Sequence, residues 1–323
     1  MNTYLCGKGR ISMPCLHCCA YGLNCCLVWG HALRASVRSV QGICMKHGKK
    51  MDEPDYSVAF TVGLADWLSI SLPSHWPSNV SVGGCYVHQS PWVSHLDSTN
   101  KSVYCEAGDV LLICRKSGRD YERYNAALLQ LKMVTGSAYQ VSKDKEERQL
   151  HVYEDWPELY LGQSAGVGKK FDIVPKAITP GAQYLFVNDN NPLRFTLAAP
   201  EKNMSTDGLG YSRFLCDFIN WNTGRPIACQ DRADEDAWSS FIWAMLQDIK
   251  NKPFTRSRAG FPKRTGRRMP QALEDLCFLQ QGQDNQTIDE LLLTMKESDE
   301  RGMGVLFFEM REEGEPRLED RRI

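Results

Sequence analysis

Two apolar stretches that lie close together in the chain predict a β-hairpin. Residues 110–114 read VLLIC, and residues 126–134 read AALLQLKMV, which is apolar except at Gln130 and Lys132. Short runs rich in Val, Leu and Ile are typical of buried strands, although a short helix remains open for the second run. The polar segment between them contains a Ser-Gly pair at 117–118, which suits a turn. We therefore expect two neighbouring strands that are joined by a short connection.

Polar residues interrupt these strands at positions that would face one point. Gln130 and Lys132 are two residues apart, and alternate side chains of a strand share a face. Asp109 opens the first strand, and in a matching register it lies only about 5 Å from them. A charged lysine in an apolar strand is unfavourable unless it has a partner, which Asp109 or Glu106 could supply. The alternative is that Gln130 and Lys132 lie on a solvated strand face.

The rest of the chain alternates between helical and strand patterns, which predicts an α/β protein. Residues 58–71 have helical spacing, and residues 143–160 are charged and helix-compatible up to Pro157. On the latter helix, Gln149 faces either the same point as Gln130 or solvent. Further strands are predicted at 80–91, 183–187, 194–199 and 302–310, and further helices at 211–221 and 234–249.

The first 50 residues differ in composition from the rest of the chain. They hold seven of the 38 basic residues, none of the 39 acidic residues and seven of the 13 cysteines. Three interpretations remain open: a metal knuckle, a leader peptide, or a Cys-rich basic extension, non-native or disordered, outside the folded domain. The abrupt shift in composition favours the third, with the globular part beginning at Met51. The candidate knuckle ligands are Cys15, Cys18, Cys25 or Cys26, and His31.

The remaining cysteines and the apolar runs bear on the compartment. Without a convincing leader, six scattered cysteines are typical of reduced core thiols, so we expect a cytoplasmic protein. No run approaches the roughly 20 apolar residues of a membrane span. We therefore expect no association with a membrane.

One segment has a basic character that the chain as a whole lacks. The net charge is −1, so the overall charge does not indicate a nucleic-acid partner. Residues 251–269 contain seven Lys or Arg, no acidic residue, and interleaved Phe254 and Phe261. Such a loop suits phosphate contacts, and a solvated basic linker is the alternative. The candidate nucleic-acid-binding residues are Lys252, Arg256, Arg258, Lys263, Arg264, Arg267 and Arg268.

The hairpin and its polar residues resemble the core of the PD-(D/E)xK nuclease superfamily. The matching residues are Gly108-Asp109 and Gln130-Leu131-Lys132, and the Q-x-K form is similar to that of Mrr-like restriction endonucleases. The resemblance implies an α/β fold with a restriction-endonuclease-like mixed sheet flanked by helices. It places a nuclease-like core at residues 51–175. Residues 176–323 would then be a C-terminal α/β region that carries the basic loop.

The resemblance also implies roles for single residues. Asp109 would bind Mg²⁺ or Mn²⁺, with the amide oxygen of Gln130 and the carbonyl of Leu131 as further ligands. Lys132 would position the attacking water and stabilise charge in the transition state, and Glu106 would be a second acid. Because Gln130 is neutral, a further carboxylate is expected from the first helix. The candidates for it are Glu53, Asp55 and Asp66.

The function that the resemblance implies is hydrolysis of phosphodiester bonds in DNA by a metal-dependent endonuclease, in restriction or anti-phage defence. A homodimer and a partner protein from the same system remain open. The alternative is a catalytically inactive nuclease-fold subunit that binds nucleic acid or assembles a complex. A third interpretation is an unrelated α/β protein in which Q-L-K is a coincidence. Metal binding through Asp109 distinguishes the first interpretation from the second.

Overall fold

Helices and strands alternate along the chain in a computed structural model. It describes residues 5–6, 9–10, 25–71, 80–88, 91–119, 121–176, 181–190, 192–251 and 302–311. The helices are α1 (Cys25–Lys46), α2 (Glu53–Val58), a π-helical turn (Ala59–Gly63), α3 (Leu64–Ser71), α4 (Asp144–Asp155), α5 (Tyr211–Ile219), a 3-10 turn (Gln230–Glu235) and α6 (Ala237–Asn251). The strands are β1 (Leu5–Cys6), β2 (Gly9–Arg10), β3 (Val80–His88), β4 (Trp92–Leu96), β5 (Ser102–Glu106), β6 (Val110–Ser117), β7 (Glu122–Met133), β8 (Ala138–Gln140), β9 (Leu159–Leu161), β10 (Lys170–Phe171), β11 (Ala182–Asn188), β12 (Arg194–Ala198), β13 (Asn203–Ser205), β14 (Leu209–Gly210), β15 (Arg225–Ile227) and β16 (Gly302–Arg311).

An eight-stranded mixed sheet is the central layer. Its order is β14-β12-β11-β7-β6-β16-β3, and β15 also pairs with β7. β6 and β7 are antiparallel, whereas β11 runs parallel to β7 and β16 runs parallel to β6. The predicted hairpin is confirmed, and its second run is a strand rather than a helix. A four-stranded sheet with the order β10-β9-β4-β5 lies beside this layer.

Apolar side chains cover both faces of the central sheet. Leu112 and Leu129 pack with α1, α2, α3 and α5 on one face. Leu111 and Leu128 pack on the other face with α4, α6 and the four-stranded sheet. Because alternate side chains point to opposite faces, a strand that is covered on both sides is apolar at consecutive positions. The fold is therefore a mixed α/β architecture with a mixed sheet flanked by helices, as predicted at that level.

The N-terminal prediction is corrected by α1. This helix begins at Cys25, well before the predicted start of the globular part at Met51. Trp29, Leu33, Val37 and Val40 are buried in the core against the sheet. Apolar residues three and four positions apart form one face of a helix, which explains why the segment packs. Of the proposed knuckle ligands, Cys15 and Cys18 lie outside the described residues.

The predicted boundary between residues 175 and 176 does not separate two sheets. β11 pairs with β7 over residues 182–187, and β16 lies between β6 and β3. Strands from both predicted regions thus form one continuous sheet. In the described part of the chain, no helix is long and apolar enough to cross a membrane.

Candidate functional site

The register of the hairpin brings Asp109 against Gln130. Val110 of β6 pairs with Leu129 of β7. Asp109, which precedes Val110, therefore stands beside Gln130, which follows Leu129. The Nε2 of Gln130 donates a hydrogen bond to Oδ2 of Asp109. The backbone N–H of Leu131 donates to the same oxygen at 2.7 Å. The predicted adjacency of Asp109 and Gln130 is therefore confirmed.

The backbone of Asp109 is fixed by two further elements. Its carbonyl oxygen accepts a hydrogen bond from Ser57 Oγ of α2 at 2.7 Å. The same oxygen accepts one from the N–H of Gly304 in β16 at 2.9 Å. Neither Ser57 nor Gly304 was predicted to be near the site. Both contacts are long-range, so no local pattern in the sequence could have indicated them.

Helix α4 supports the site from the other side. Gln149 donates through Nε2 to the carbonyl oxygen of Glu106 at 3.1 Å and to Oε1 of Gln130. One turn later, the hydroxyl of Tyr153 donates to the carbonyl oxygen of Ala107 at 2.6 Å. α4 therefore holds both the amide of Gln130 and the chain segment that leads to Asp109. Of the two predicted orientations of Gln149, the one toward Gln130 is confirmed.

These contacts determine which atoms of Gln130 and Leu131 face the carboxylate of Asp109. Gln130 turns its amide nitrogen toward Asp109 and its oxygen toward Gln149. Leu131 presents its N–H to Asp109. The predicted metal ligands at these positions were the amide oxygen and the carbonyl. In this arrangement, both residues instead act as hydrogen-bond donors to Asp109.

Lys132 lies beside a carboxylate of α2. Its Nζ is 3.6 Å from Oε2 of Glu53, and Oε1 of Glu53 accepts a hydrogen bond from the N–H of Met133 at 3.3 Å. Lys132 is buried, whereas the side chain of Glu53 is partly exposed. The ammonium of Lys132 therefore has the ionic partner that its burial requires.

The other two first-helix candidates are placed differently. Asp55 is fully buried, forms an ion pair with Lys49 at 2.8 Å, and completes a capping box with Asp52 at the start of α2. Asp66 lies in α3, beyond the π-helical turn. Glu53 is thus the candidate that reaches the strand with Lys132.

The electrostatic environment of Asp109 is dominated by burial. Burial raises the pKa of the Asp109 carboxyl to about 8, although the nearby charge of Lys132 lowers it. The negative charges of Glu106 and Glu53 raise this pKa further, and the hydrogen bond from Leu131 lowers it. The two neighbouring carboxylates and the ammonium of Lys132 thus act on Asp109 in opposite directions. Such a site favours an additional cation, because a cation would stabilise the charged form of Asp109.

The carboxylate oxygens at this site are ligands of the type that a divalent ion such as Mg²⁺ requires. Mg²⁺ prefers oxygen ligands, retains several waters, and is commonly held by one or two carboxylates together with substrate phosphates. Asp109 and Glu53 offer carboxylates of that kind, and among the described residues no hydrogen bond reaches Oδ1 of Asp109. The same part of the chain contains no group of three or more His, Cys, Asp or Glu that could hold a metal ion. A divalent ion at this site would therefore have to take most of its ligands from water and substrate.

The predicted nucleic-acid-binding loop cannot be placed relative to this site. Of residues 251–269, only Asn251 is described, as the last residue of α6. All seven basic candidates of that loop lie outside the described residues.

Comparisons with known proteins do not assign this site. A scan against protein-family models and searches of the curated proteins and the solved structures each returned no match. A function for this chain therefore has to be inferred from the geometry of the site.

Proposed function

We propose that this chain is a metal-dependent nuclease of the PD-(D/E)xK type that hydrolyses phosphodiester bonds in DNA. The observation that carries the proposal is the meeting of Asp109, Gln130 and Lys132 on adjacent strands, with Glu53 beside Lys132. An acid, an amide and a lysine on one sheet face suit phosphodiester hydrolysis. The resemblance implies restriction or anti-phage defence as the setting.

Each residue has a chemical task in this proposal. Asp109 and Glu53 would hold Mg²⁺ or Mn²⁺, and such an ion would supply a more acidic water and neutralise developing negative charge. Lys132 is oriented by Glu53 and places a positive charge next to the scissile phosphate. Gln130 and the N–H of Leu131 hold Oδ2 of Asp109, which leaves Oδ1 for the ion.

Gln149 is a positioning residue in the same scheme. It binds the amide oxygen of Gln130 and the backbone at Glu106 at the same time. Since Nε2 of Gln149 cannot accept a hydrogen bond, it fixes which end of the Gln130 amide faces Asp109. The orientation of Asp109 thus depends on α4 as well as on the strands.

A second candidate function is a nuclease-fold subunit that binds nucleic acid without cleaving it. The observation that favours it is that the amide oxygen of Gln130 is engaged by Gln149 rather than directed at Asp109. Without the amide oxygen of Gln130, the described residues do not provide three neighbouring ligands, so the protein alone would not hold a metal ion. The two functions differ in whether Mg²⁺ or Mn²⁺ binds at Asp109.

The deciding experiment is cleavage of plasmid and single-stranded DNA by the full chain with Mg²⁺ or Mn²⁺. We expect Asp109→Ala, Lys132→Ala and Glu53→Gln each to lower the rate by about 100-fold or more, because each removes charge from the reacting centre. Asp66→Asn is the matched control, since Asp66 is an acid of the neighbouring helix α3. Its cleavage rate should stay within about threefold of the parent.

The outcomes separate the candidates. Equal cleavage by the parent, Asp109→Ala and Lys132→Ala would reject the assigned site. If the parent cleaves nothing, its thermal unfolding with added Mn²⁺ decides. Stabilisation by Mn²⁺ that Asp109→Ala lacks would locate a metal site that awaits a partner, because a bound ion stabilises the folded state. Neither cleavage nor stabilisation would favour the binding subunit.

A further inference from the structure

Two histidines form a second cluster of potential ligands, away from Asp109. His95 is on β4 and is 3% exposed, and His151 is on α4 with its side chain 43% exposed. Their ring centres are 4.8 Å apart, with the planes inclined at 58°. His151 follows Gln149 by two residues, which places it on the opposite side of the helix, since each residue turns about 100°. The pair therefore joins α4 to the four-stranded sheet.

The hydrogen bonds of the two rings define where their lone pairs lie. Nδ1 of His95 is 3.2 Å from the carbonyl oxygen of Leu96, which can only accept, so Nδ1 carries a proton and donates. Nδ1 of His151 is 2.6 Å from Oδ2 of Asp155 and donates to that carboxylate. In each neutral ring, the remaining lone pair is therefore on Nε2.

Nε2 of His95 is a buried acceptor without a hydrogen-bond partner among the described residues. Buried polar atoms of native proteins usually have a partner, and a bound ion is one of the standard explanations for an atom without one. A second imidazole stands directly beside this atom's ring.

We propose that His95 and His151 bind one late first-row transition-metal ion, of the Zn²⁺, Ni²⁺ or Cu²⁺ class, through their Nε2 atoms. Imidazole is a preferred ligand for these ions. Histidines that bind metals almost always donate their other N–H to a carboxylate or a backbone carbonyl, and here one ring has each kind of partner. Two imidazoles on one ion, with metal–nitrogen distances near 2.0 Å, have ring centres about 5 Å apart.

The charges around the pair also suit a cation. Asp97 and Arg148 act electrostatically on His95, and Asp155 is bonded to His151. With both rings neutral, these three groups sum to one negative charge. Burial lowers the pKa of His95, which keeps its ring in the neutral form that binds metals. Since no third such ligand completes the group in the described chain, water fills the remaining positions.

The site is tested by Cu²⁺ titration of the full chain, followed by electron paramagnetic resonance. Accessible thiols are first blocked with N-ethylmaleimide, because 13 cysteines would otherwise compete for the ion. We expect one Cu²⁺ per chain with hyperfine splitting from two nitrogens. His151→Gln should lose the two-nitrogen signal, and Asp155→Asn should weaken Cu²⁺ binding by about 10- to 100-fold.

Two controls separate this site from others. His31→Gln alters an exposed histidine of α1 and should leave the signal unchanged. Asp172→Asn, at an exposed acid outside both proposed sites, should also leave it unchanged. An identical spectrum in the parent and His151→Gln would overturn the proposal, as would equal loss in His31→Gln.

A second readout covers the buried ligand. Zn²⁺ should raise the unfolding temperature of the parent but not that of His95→Gln, because a ligand that binds only the folded state stabilises it. If His95→Gln does not fold, the same measurement on His151→Gln decides, since that side chain is largely at the surface. Equal stabilisation of the parent and His151→Gln would contradict the site.

Discussion

Asp109 has a buried carboxyl group that accepts two hydrogen bonds, and the ammonium of Lys132 lies nearby. The unfavourable burial outweighs the rest, so its pKa rises from 3.8 to about 8. Between these two pH values the folded chain holds a proton at Asp109 that the unfolded chain has released. The contribution of this group to stability is therefore present at acidic pH and is lost as the pH rises toward 8.

Replacing this carboxyl by an amide should remove the pH dependence. At pH 8.5 without added metal, Asp109→Asn should raise the free energy of unfolding by about 1 to 3 kcal/mol, since a charge no longer has to be buried. At pH 5 the two proteins should be nearly equal. Urea unfolding at both pH values is the measurement, with Asp172→Asn as a control at an exposed acid. If the free energy of unfolding of Asp109→Asn changed between pH 5 and pH 8.5 as much as that of the parent, the pKa assigned to Asp109 would be contradicted.

At the scale of elements, two glycines allow a helix to lie directly on the sheet. A Cβ at Gly304 would be 2.6 Å from side-chain atoms of Thr61 and 2.9 Å from Oγ of Ser57. A Cβ at Gly84 would be 2.6 Å from the carbonyl oxygen of Thr61. This close approach is what lets Ser57 reach the carbonyl oxygen of Asp109.

Adding one methyl group at this contact should disturb both packing and site. Gly304→Ala should lower the free energy of unfolding by about 1 to 3 kcal/mol, because the core around it is already filled. Gly42→Ala is the matched control, since nothing lies within 4 Å of a Cβ there and the residue is inside α1. That change should instead stabilise by about 0.5 to 1 kcal/mol. Chemical denaturation measures the free energy of unfolding of both variants. Equal changes in Gly304→Ala and Gly42→Ala would contradict the close packing at Gly304.

The elements also show what local pattern can and cannot predict. The hairpin was predictable because its apolar runs and its Ser-Gly turn are local, and the period of two placed Gln130 beside Asp109. The strand at 302–310 was predicted from its apolar run, but its place inside the sheet between β6 and β3 was not. The choice of Glu53 over Asp55 likewise depends on packing between distant segments. Neither the position of β16 nor the contact of Glu53 can be predicted from the residues that neighbour them in the sequence.

At the scale of the whole molecule, the prediction that residues 1–50 lie outside the folded domain was wrong, because α1 packs in the core. The cysteines and positive charge of these residues suggested a segment foreign to the domain, whereas the apolar residues at 29, 33, 37 and 40 carry a helical period that indicates packing. The helical period of the apolar residues is thus a better guide to packing here than the composition of the segment. The core therefore extends well before Met51.

This conclusion predicts that α1 is required for stability. Leu33→Ala should lower the free energy of unfolding by about 2 to 5 kcal/mol, because Leu33 is 1% exposed in the core. Leu27→Ala, at a residue that is 57% exposed on the same helix, should change it by less than about 0.5 kcal/mol. Thermal or urea unfolding of both variants tests this. If Leu33→Ala and Leu27→Ala had the same free energy of unfolding, α1 would not be part of the core.

The position of β16 has a consequence for biosynthesis. Asp109 leaves the ribosome about 195 residues before Gly304, whose N–H binds its carbonyl oxygen. At 5 to 20 residues per second, that interval lasts roughly 10 to 40 s. During it the nascent chain has β3 and β6 without the strand that joins them, and it exposes two long unpaired edges. The growing polypeptide is therefore a candidate for chaperone protection until β16 has been translated.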